Sequence, residues 1–320
     1  MAEKNLKLIN EIKKELQKGL VGQDDLVESL LVGILANGHI LLEGVPGLAK
    51  TRAVSLLAKA CSASFKRLQF TPDLLPADIV GTRIFDQKSA SFETRIGPIF
   101  ANFILADEIN RAPAKVQSAL LETMQERQVT IGDETIALPL PFFVFATQNP
   151  VEQEGTYPLP EAQLDRFLLK VVVGYPQKDE EAEIVRMVIN ETQSPAIDKV
   201  MNAEDIIELQ KATRDVHLED KLLHYITTLV FATREPSNHG LSHLQEVIEL
   251  GASPRASIAL AQCSKALALL DGRSSVYPDD IKKVAYPVLR HRILLTFHGE
   301  AEGFTTARVI SEILGKVKVP

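Results

Sequence analysis

The sequence predicts an α/β protein in which a parallel sheet lies between helices, followed by a smaller all-α unit. Three observations carry this. Five short apolar runs alternate with helical patterns in the first half of the chain, as a sheet covered on both faces requires. Strand-like runs stop near GYPQKDEE at 174–181, and helical spacing continues alone to the end. The turn GVPGLAKT at 44–51 directly follows the first apolar run, at the strand end where open α/β sheets bind ligands. At 320 residues the chain is large for one core, so the expected division is 1–175 for the α/β unit and 176–320 for the helical one.

Leu6, Ile9, Ile12, Leu16 and Leu20 recur at helical spacing, and a second helix is expected over 24–36. Strands are predicted at His39–Leu42, Phe65–Phe70, Phe103–Ala106, Phe142–Ala146 and Phe167–Val173. Two stretches interrupt this pattern. Residues 80–100 alternate polar and apolar around QKSAS, and 128–141 alternate around Gly132 and Asp133; both read as hairpins. The sheet is complete without them, so both are candidates for touching another molecule. Further helices are expected at 179–190, 203–214, 219–234, 254–270, 278–290 and 305–316. Pro254, and Pro278 with Asp279 and Asp280, mark helix starts. The stretch LTFHGEAEG at 295–303 reads as a connection between helices.

The composition is that of a soluble globular protein, 45% hydrophobic and 24% charged. A net charge of −7 argues against general nucleic-acid binding. Cys61 and Cys263 each sit in apolar helical patterns and are expected to be buried free thiols. The charged start suggests no signal peptide, and no apolar run is long enough to span a bilayer; the expected compartment is the cytoplasm. His217, His224, His239 and His243 lack metal-site spacing, and Ser257 lacks the context of a nucleophile.

The turn at 44–51 nearly matches a phosphate-binding loop, G-x-x-x-x-G-K-[ST]. Gly44, Lys50 and Thr51 fit, whereas Ala49 stands where the pattern has glycine. A turn feeding a helix N-terminus offers backbone N–H donors and a positive end to phosphate. Gly44 and Gly47 allow close approach, Lys50 would reach the β- and γ-phosphates, and the Thr51 hydroxyl would ligate Mg²⁺. Val45, Pro46, Leu48 and Arg52 complete the candidate nucleotide-binding stretch. Ala49 is tolerable there if its dihedrals are helical. The run NFILADEIN supplies Asp107 for Mg²⁺ and Glu108 to polarise water; alone, the pair reads equally as helix N-terminal acids. Asn149, ending PFFVFATQN, suits a γ-phosphate sensor or a turn before Pro150. Arg166 and Arg255 are either charge-balancing arginines for phosphoryl transfer or, for Arg166, a partner of Asp165 or Glu161 and, for Arg255, an exposed residue on a first helical turn.

Six stretches decide among these alternatives: VGQ at 21–23, GVPGLAKT at 44–51, TPDLLPADIVG at 71–81, GPIFANFILADEINRAPAKVQSALLETMQE at 97–126, ATQNPVEQEGTYPLPEAQLDRF at 146–167 and GASPRAS at 251–257. In order and content they resemble the MoxR family of AAA+ ATPases, over nearly the whole chain. That family usually carries alanine where this chain has Ala49. The resemblance implies a P-loop AAA+ core with a five-stranded parallel sheet and a helical lid. It places Val21 and Gly22 near adenine, Lys50 and Thr51 in Walker A, and Asp107 and Glu108 in Walker B. Asn149 is similar to sensor 1, Arg166 to an arginine finger acting on the next subunit, and Arg255 to sensor 2 reaching the γ-phosphate from the lid. The hairpins at 80–100 and 128–141 resemble the helix-2 and pre-sensor-1 inserts that face substrate in related rings. Arg111 is left open between a helix-start residue and an interface contact.

The resemblance implies ATP hydrolysis with Mg²⁺, a homo-oligomeric ring expected to be a hexamer, a protein client, and a partner bearing a von Willebrand factor A domain. Two other functions compete with this one. A DNA-directed motor is opposed by the acidic second hairpin TIGDET, since phosphate contacts need lysine or arginine. A nucleotide switch with little turnover is opposed by the presence of Glu108, Asn149 and Arg166.

Overall fold

The computed structural model describes residues 2–88, 90–151, 155–189 and 196–320. Ser89 in the first hairpin, Glu152, Gln153 and Glu154 in the stretch at 146–167, and Asn190 at the end of the helix predicted over 179–190 lie outside the described residues. Helices α1 (Ala2–Gln17) and α2 (Asp24–Leu35) come first. Strand β1 (Ile40–Glu43) leads to α3 (Lys50–Ala60), and β2 (Phe65–Gln69) to α4 (Pro76–Val80). The first hairpin is β3 (Gly81–Asp86) and β4 (Ser91–Ile96). After β5 (Phe103–Asp107) and α5 (Ala114–Glu126) comes the second hairpin, β6 (Gln128–Ile131) and β7 (Glu134–Ala137). Then follow β8 (Phe143–Gln148), α6 (Glu161–Leu164) and β9 (Leu169–Val172).

The five predicted strands form one parallel sheet in the order β2-β5-β8-β1-β9. Alternate side chains along each strand point to opposite faces. Ile40, Leu42, Phe103, Leu105, Phe143 and Phe145 join the core beneath α1–α3, while Leu41, Ile104, Ala106, Val144 and Ala146 join the one under α4 and α5. Burial on both faces is why these strands read as unbroken apolar runs. Each buried leucine or phenylalanine contributes about 2 kcal/mol of transfer free energy. The strand order sets the ends of β5, β8 and β1 side by side, although the sequence separates them widely.

The remaining chain forms α7 (Lys178–Ile189), α8 (Ala203–Asp215) and α9 (Asp220–Ala232). Next come β10 (Ile248–Leu250), α10 (Pro254–Leu270), α11 (Pro278–Leu289), β11 (Leu294–Leu295), α12 (Phe297–Ala301) and α13 (Thr306–Lys316). Asn202 caps α8, accepting from the Asp205 N–H, and Ser253 caps α10 ahead of Pro254. Two details correct the sequence reading. β10 and β11 pair antiparallel, Ile248 facing Leu295, where no strand was expected; three- and two-residue strands are too short to show a period. Residues 295–303 are more than a connection, because Thr296 caps α12 there. Cys61 and Cys263 are buried and free, as expected; burial pushes the Cys263 thiol up to about 12.

The helical part docks on the first helices. Helix α10 packs against α2, and one apolar cluster runs from α1 to α13. Gln210 donates to the Ile34 carbonyl at 2.9 Å, and the Val200 N–H to the Ala60 carbonyl at 2.8 Å. Among the described residues no helix is long and apolar enough to cross a membrane.

Candidate nucleotide site

The phosphate loop hangs between β1 and α3. A Cβ on Gly44 would lie 2.7 Å from the Val173 carbonyl, so only glycine fits under that neighbouring strand end. Gly47 has φ +87°, a conformation open to glycine. Ala49 does not have the helical dihedrals its tolerance was expected to need. Its φ is 57° and ψ 11°, in the left-handed region, where an L-residue costs about 1–2 kcal/mol. The loop thus demands a glycine-like conformation of an alanine, one residue before Lys50.

Lys50 Nζ donates to the Gly44 carbonyl, and also to the Gln148 carbonyl at 3.5 Å. Burial pushes its pKa down, while Asp107, Glu108 and Glu43 hold it up. Val45 packs into the core below the loop and Pro46 is exposed. Val21, Gly47, Leu48, Ala49 and Arg52 line one cavity, closed by Ile184 of α7. Gly22, expected near adenine, lies beside this cavity and lines a neighbouring hollow with Tyr175 and Glu180.

Asp107 ends β5 opposite this loop. Its Oδ1 accepts from the Thr147 hydroxyl at 2.5 Å. Its Oδ2 accepts from Arg67 Nε at 2.9 Å and Nη2 at 2.6 Å, and from Thr51 Oγ1 at 3.5 Å. A carboxylate beside a hydroxyl at the foot of a phosphate loop is the donor set that hard cations take. Thr51 and Asp107 therefore fit Mg²⁺.

Glu108 follows with φ 57°. Its backbone N–H donates to Thr147 Oγ1 at 2.8 Å. Gln69 and Arg111 donate to its Oε2 at 2.8 and 3.0 Å. Arg111, left open by the sequence, thus faces the acid. The left-handed backbone turns Glu108 out of the β5 ladder, and such strain concentrates at working sites. Asn149 is buried at the end of β8, and its Oδ1 accepts from the Val151 N–H at 3.2 Å. That bond shapes the turn that follows β8, the local role weighed for Asn149. Arg67, Gln69 and Thr147 were not singled out from the sequence. The first two stand on edge strand β2, whose exposed polar positions look like ordinary surface.

Arg166 and Arg255 are not at this end of the sheet. Leu168 N–H bonds the His39 carbonyl, just before β1. Arg166 and Arg255 line one cavity with Gly38, His39 and Arg127. His39 and Gly44 are five residues apart along a strand, or about 16 Å. Arg255 Nη1 lies 3.3 Å from Asp165 Oδ2, and Arg166 Nη1 donates to the Leu121 carbonyl at 2.9 Å. Arg255, expected to reach a γ-phosphate from the lid, stands here beside Asp165 and Arg166 at the first turn of α10. Helix α10 docks on α2 and presents its first turn to the amino ends of the strands.

Comparison with known proteins agrees with this geometry. The profile of the ATPase family associated with various cellular activities (AAA) matches residues 39–169, and that of the AAA lid domain matches 242–313. The chain is 50% identical to Chaperone MoxR1 of Mycobacterium tuberculosis over 96% of its own length and 81% of that protein. It is 45% identical to the uncharacterised protein YeaC of Bacillus subtilis over 98% of its length and 95% of that protein. A crystal structure of a provisionally assigned ATPase from Cytophaga hutchinsonii superposes with a TM-score of 0.94 at 51% identity, covering 100% of this chain and 97% of that one.

Proposed function

The chain belongs to the MoxR family of AAA+ ATPases, and on that premise we propose that it hydrolyses ATP to ADP and phosphate to remodel a protein client. The observation that carries the reading is the convergence of Lys50, Thr51, Asp107, Glu108 and Asn149 at three adjacent strand ends. The N–H groups at the start of α3 and the Lys50 ammonium receive the β- and γ-phosphates. Val21, Leu48 and the α7 side of the cavity take the base. Thr51 and Asp107 would hold Mg²⁺, which would supply positive charge against the charge that develops on the phosphates. Glu108, kept in place by Gln69 and Arg111, orients the attacking water and takes its proton. Asn149 fixes the far side of that water.

Arg166 and Arg255 act on a neighbour. They sit together at the opposite end of the sheet, so each serves ATP only where another subunit brings its phosphate loop to that face. A ring, which we assign as a hexamer, satisfies this for every subunit. Clients are engaged by the two hairpins, and a von Willebrand factor A domain protein serves as partner.

The reading is tested by phosphate release with and without Mg²⁺, over a range of protein concentrations. Turnover per subunit should rise with concentration as rings form. Glu108→Gln should lose at least ~100-fold in kcat while binding ATP normally. Unchanged turnover in Glu108→Gln would refute the assignment. Native mass spectrometry with ATP should give six subunits.

A further inference from the structure

The segment that carries Arg166 is held by its own unit through backbone bonds and, on its other side, by the lid. Arg292 lies between α11 and β11 with its side chain only 3% exposed. Its Nε donates to Asp165 Oδ1 at 2.8 Å. Its Nη2 donates to the Phe167 carbonyl at 2.7 Å and the Asp165 carbonyl at 3.3 Å. Its Nη1 donates to the Leu168 carbonyl at 3.2 Å and to the Val288 carbonyl of α11 at 2.5 Å. Neighbouring His291 adds a bond from Nε2 to the Phe167 carbonyl at 3.0 Å. Ser253, at the start of α10, donates to Asp165 Oδ2 at 2.9 Å. The residues on both sides of Arg166 are thus gripped by the lid, whereas the Arg166 guanidinium rests on Leu121 of α5.

The helix that follows β9 reaches the nucleotide end. Ile184 of α7 and Pro176, where the chain enters α7, line the cavity with Val21 and Ala49. Helix α7 thus borders the subunit's own base pocket, while Ser253, His291 and Arg292 hold the segment that bears Arg166. A buried guanidinium suits this task, because its fixed fork of donors matches several acceptors at once. A lysine at this position keeps the charge and loses the fork. Removing a partner from a buried pair leaves the other uncompensated.

We propose that Arg292 is a positioning residue that locks residues 165–168 to the lid, so that the lid's orientation sets where Arg166 points. This rests on the reading of Arg166 as acting on a neighbour's ATP.

The test is subunit mixing. Lys50→Ala has a broken pocket and an intact Arg166; Arg166→Ala has the reverse. Arg292→Lys should lose about 10- to 100-fold in kcat, the scale of an ångström's misplacement, with affinity for a fluorescent ATP analogue within about two-fold of wild type, a readout set by its own intact pocket. Mixed with Lys50→Ala it should regain phosphate release, as Arg166→Ala does, because its own pocket then receives a well-held arginine. A variant with only structural damage would lose analogue binding and would not be rescued. Wild-type kcat in Arg292→Lys, or loss without rescue where Arg166→Ala is rescued, overturns the inference. If Arg166→Ala keeps full activity or is not rescued, the neighbour-acting reading fails, and the inference with it. Asp165→Asn, which weakens the charged bond and keeps the carbonyl acceptors, gives the same test should Arg292→Lys not fold. It should show a smaller loss with the same rescue, and unchanged kcat there also overturns the proposal.

Discussion

Acidification should destabilise this protein through His39, and the amount follows from its surroundings. His39 is buried immediately before β1, its ring edge-on to Phe142 at 5.8 Å. The Val144 N–H donates to Nδ1 at 3.0 Å, so Nδ1 carries no proton and Nε2–H donates to the Met124 carbonyl at 3.1 Å. Burial is the main force against the charged ring, with Arg127 adding to it and the Met124 bond opposing; together they lower the pKa from 6.5 to about 4. The folded pKa lies below the unfolded one. The contribution is therefore complete above pH 6.5 and is lost as pH falls towards 4. A gap of that size is worth about 3 kcal/mol in all, of which about 2 kcal/mol goes between pH 7 and pH 5. His39→Gln provides the comparison, since a glutamine amide can accept from Val144 and donate to Met124 without titrating. Urea unfolding of both proteins across pH 7 to 4.5 isolates this group, because titration of the carboxylates and of buried His291 cancels in the difference. The variant is expected to be less stable at pH 7 by the loss of ring packing, with the gap closing or reversing by about 2 kcal/mol at pH 5. A gap that does not change with pH would refute the argument.

The phosphate loop gives a second expectation. Ala49→Gly should relieve the left-handed strain at φ 57° and, after the entropy that glycine adds to the unfolded chain, stabilise by about 0.5–1 kcal/mol. Thermal unfolding would show the gain, and a lower midpoint would mean that the Ala49 methyl packs better than its dihedral suggests. A third concerns Asp107, whose Oδ2 is taken by Arg67. A cation at Thr51 and Asp107 must displace or share with that guanidinium, a half-exposed pair worth up to about 1 kcal/mol. Arg67→Met should therefore lower the Mg²⁺ needed for half-maximal binding of a fluorescent ATP analogue by up to about five-fold. A higher Mg²⁺ requirement would show instead that Arg67 helps assemble the site.

What could be read from the sequence and what could not divide along a physical line. Gly44, Lys50, Thr51, Asp107 and Asn149 were legible because their chemistry is tied to short spacings at the ends of apolar strands. The strands themselves were legible because burial on both faces leaves an unbroken apolar run. β10 and β11 were invisible because three and two residues carry no period. The dihedral of Ala49 was invisible because it is set by loop closure, with Gly44 pinned beneath Val173 at one end and α3 beginning at the other. Arg67 and Gln69 act only because β2 pairs with β5 in a register that puts Gln69 opposite Asp107, and register is a property of the sheet.

Arg255 shows the same limit with the largest consequence. Its position at the start of a lid helix was legible; the end of the sheet on which that helix docks was not, since this depends on α10 packing against α2. That docking separates the site into two halves. One half holds Lys50, Thr51, Asp107 and Glu108 at the carboxyl ends of the strands. The other holds Arg166 and Arg255 beside Gly38 and His39, where β1 begins. A lid that swung far enough to carry Arg255 across would have to break the shared core of α2 and α10 and the grip of Arg292 on residues 165–168. The smaller change is for a second copy to bring its phosphate loop to the arginines. On the proposed reading of Arg166 and Arg255, the packing of the lid makes assembly a condition of catalysis.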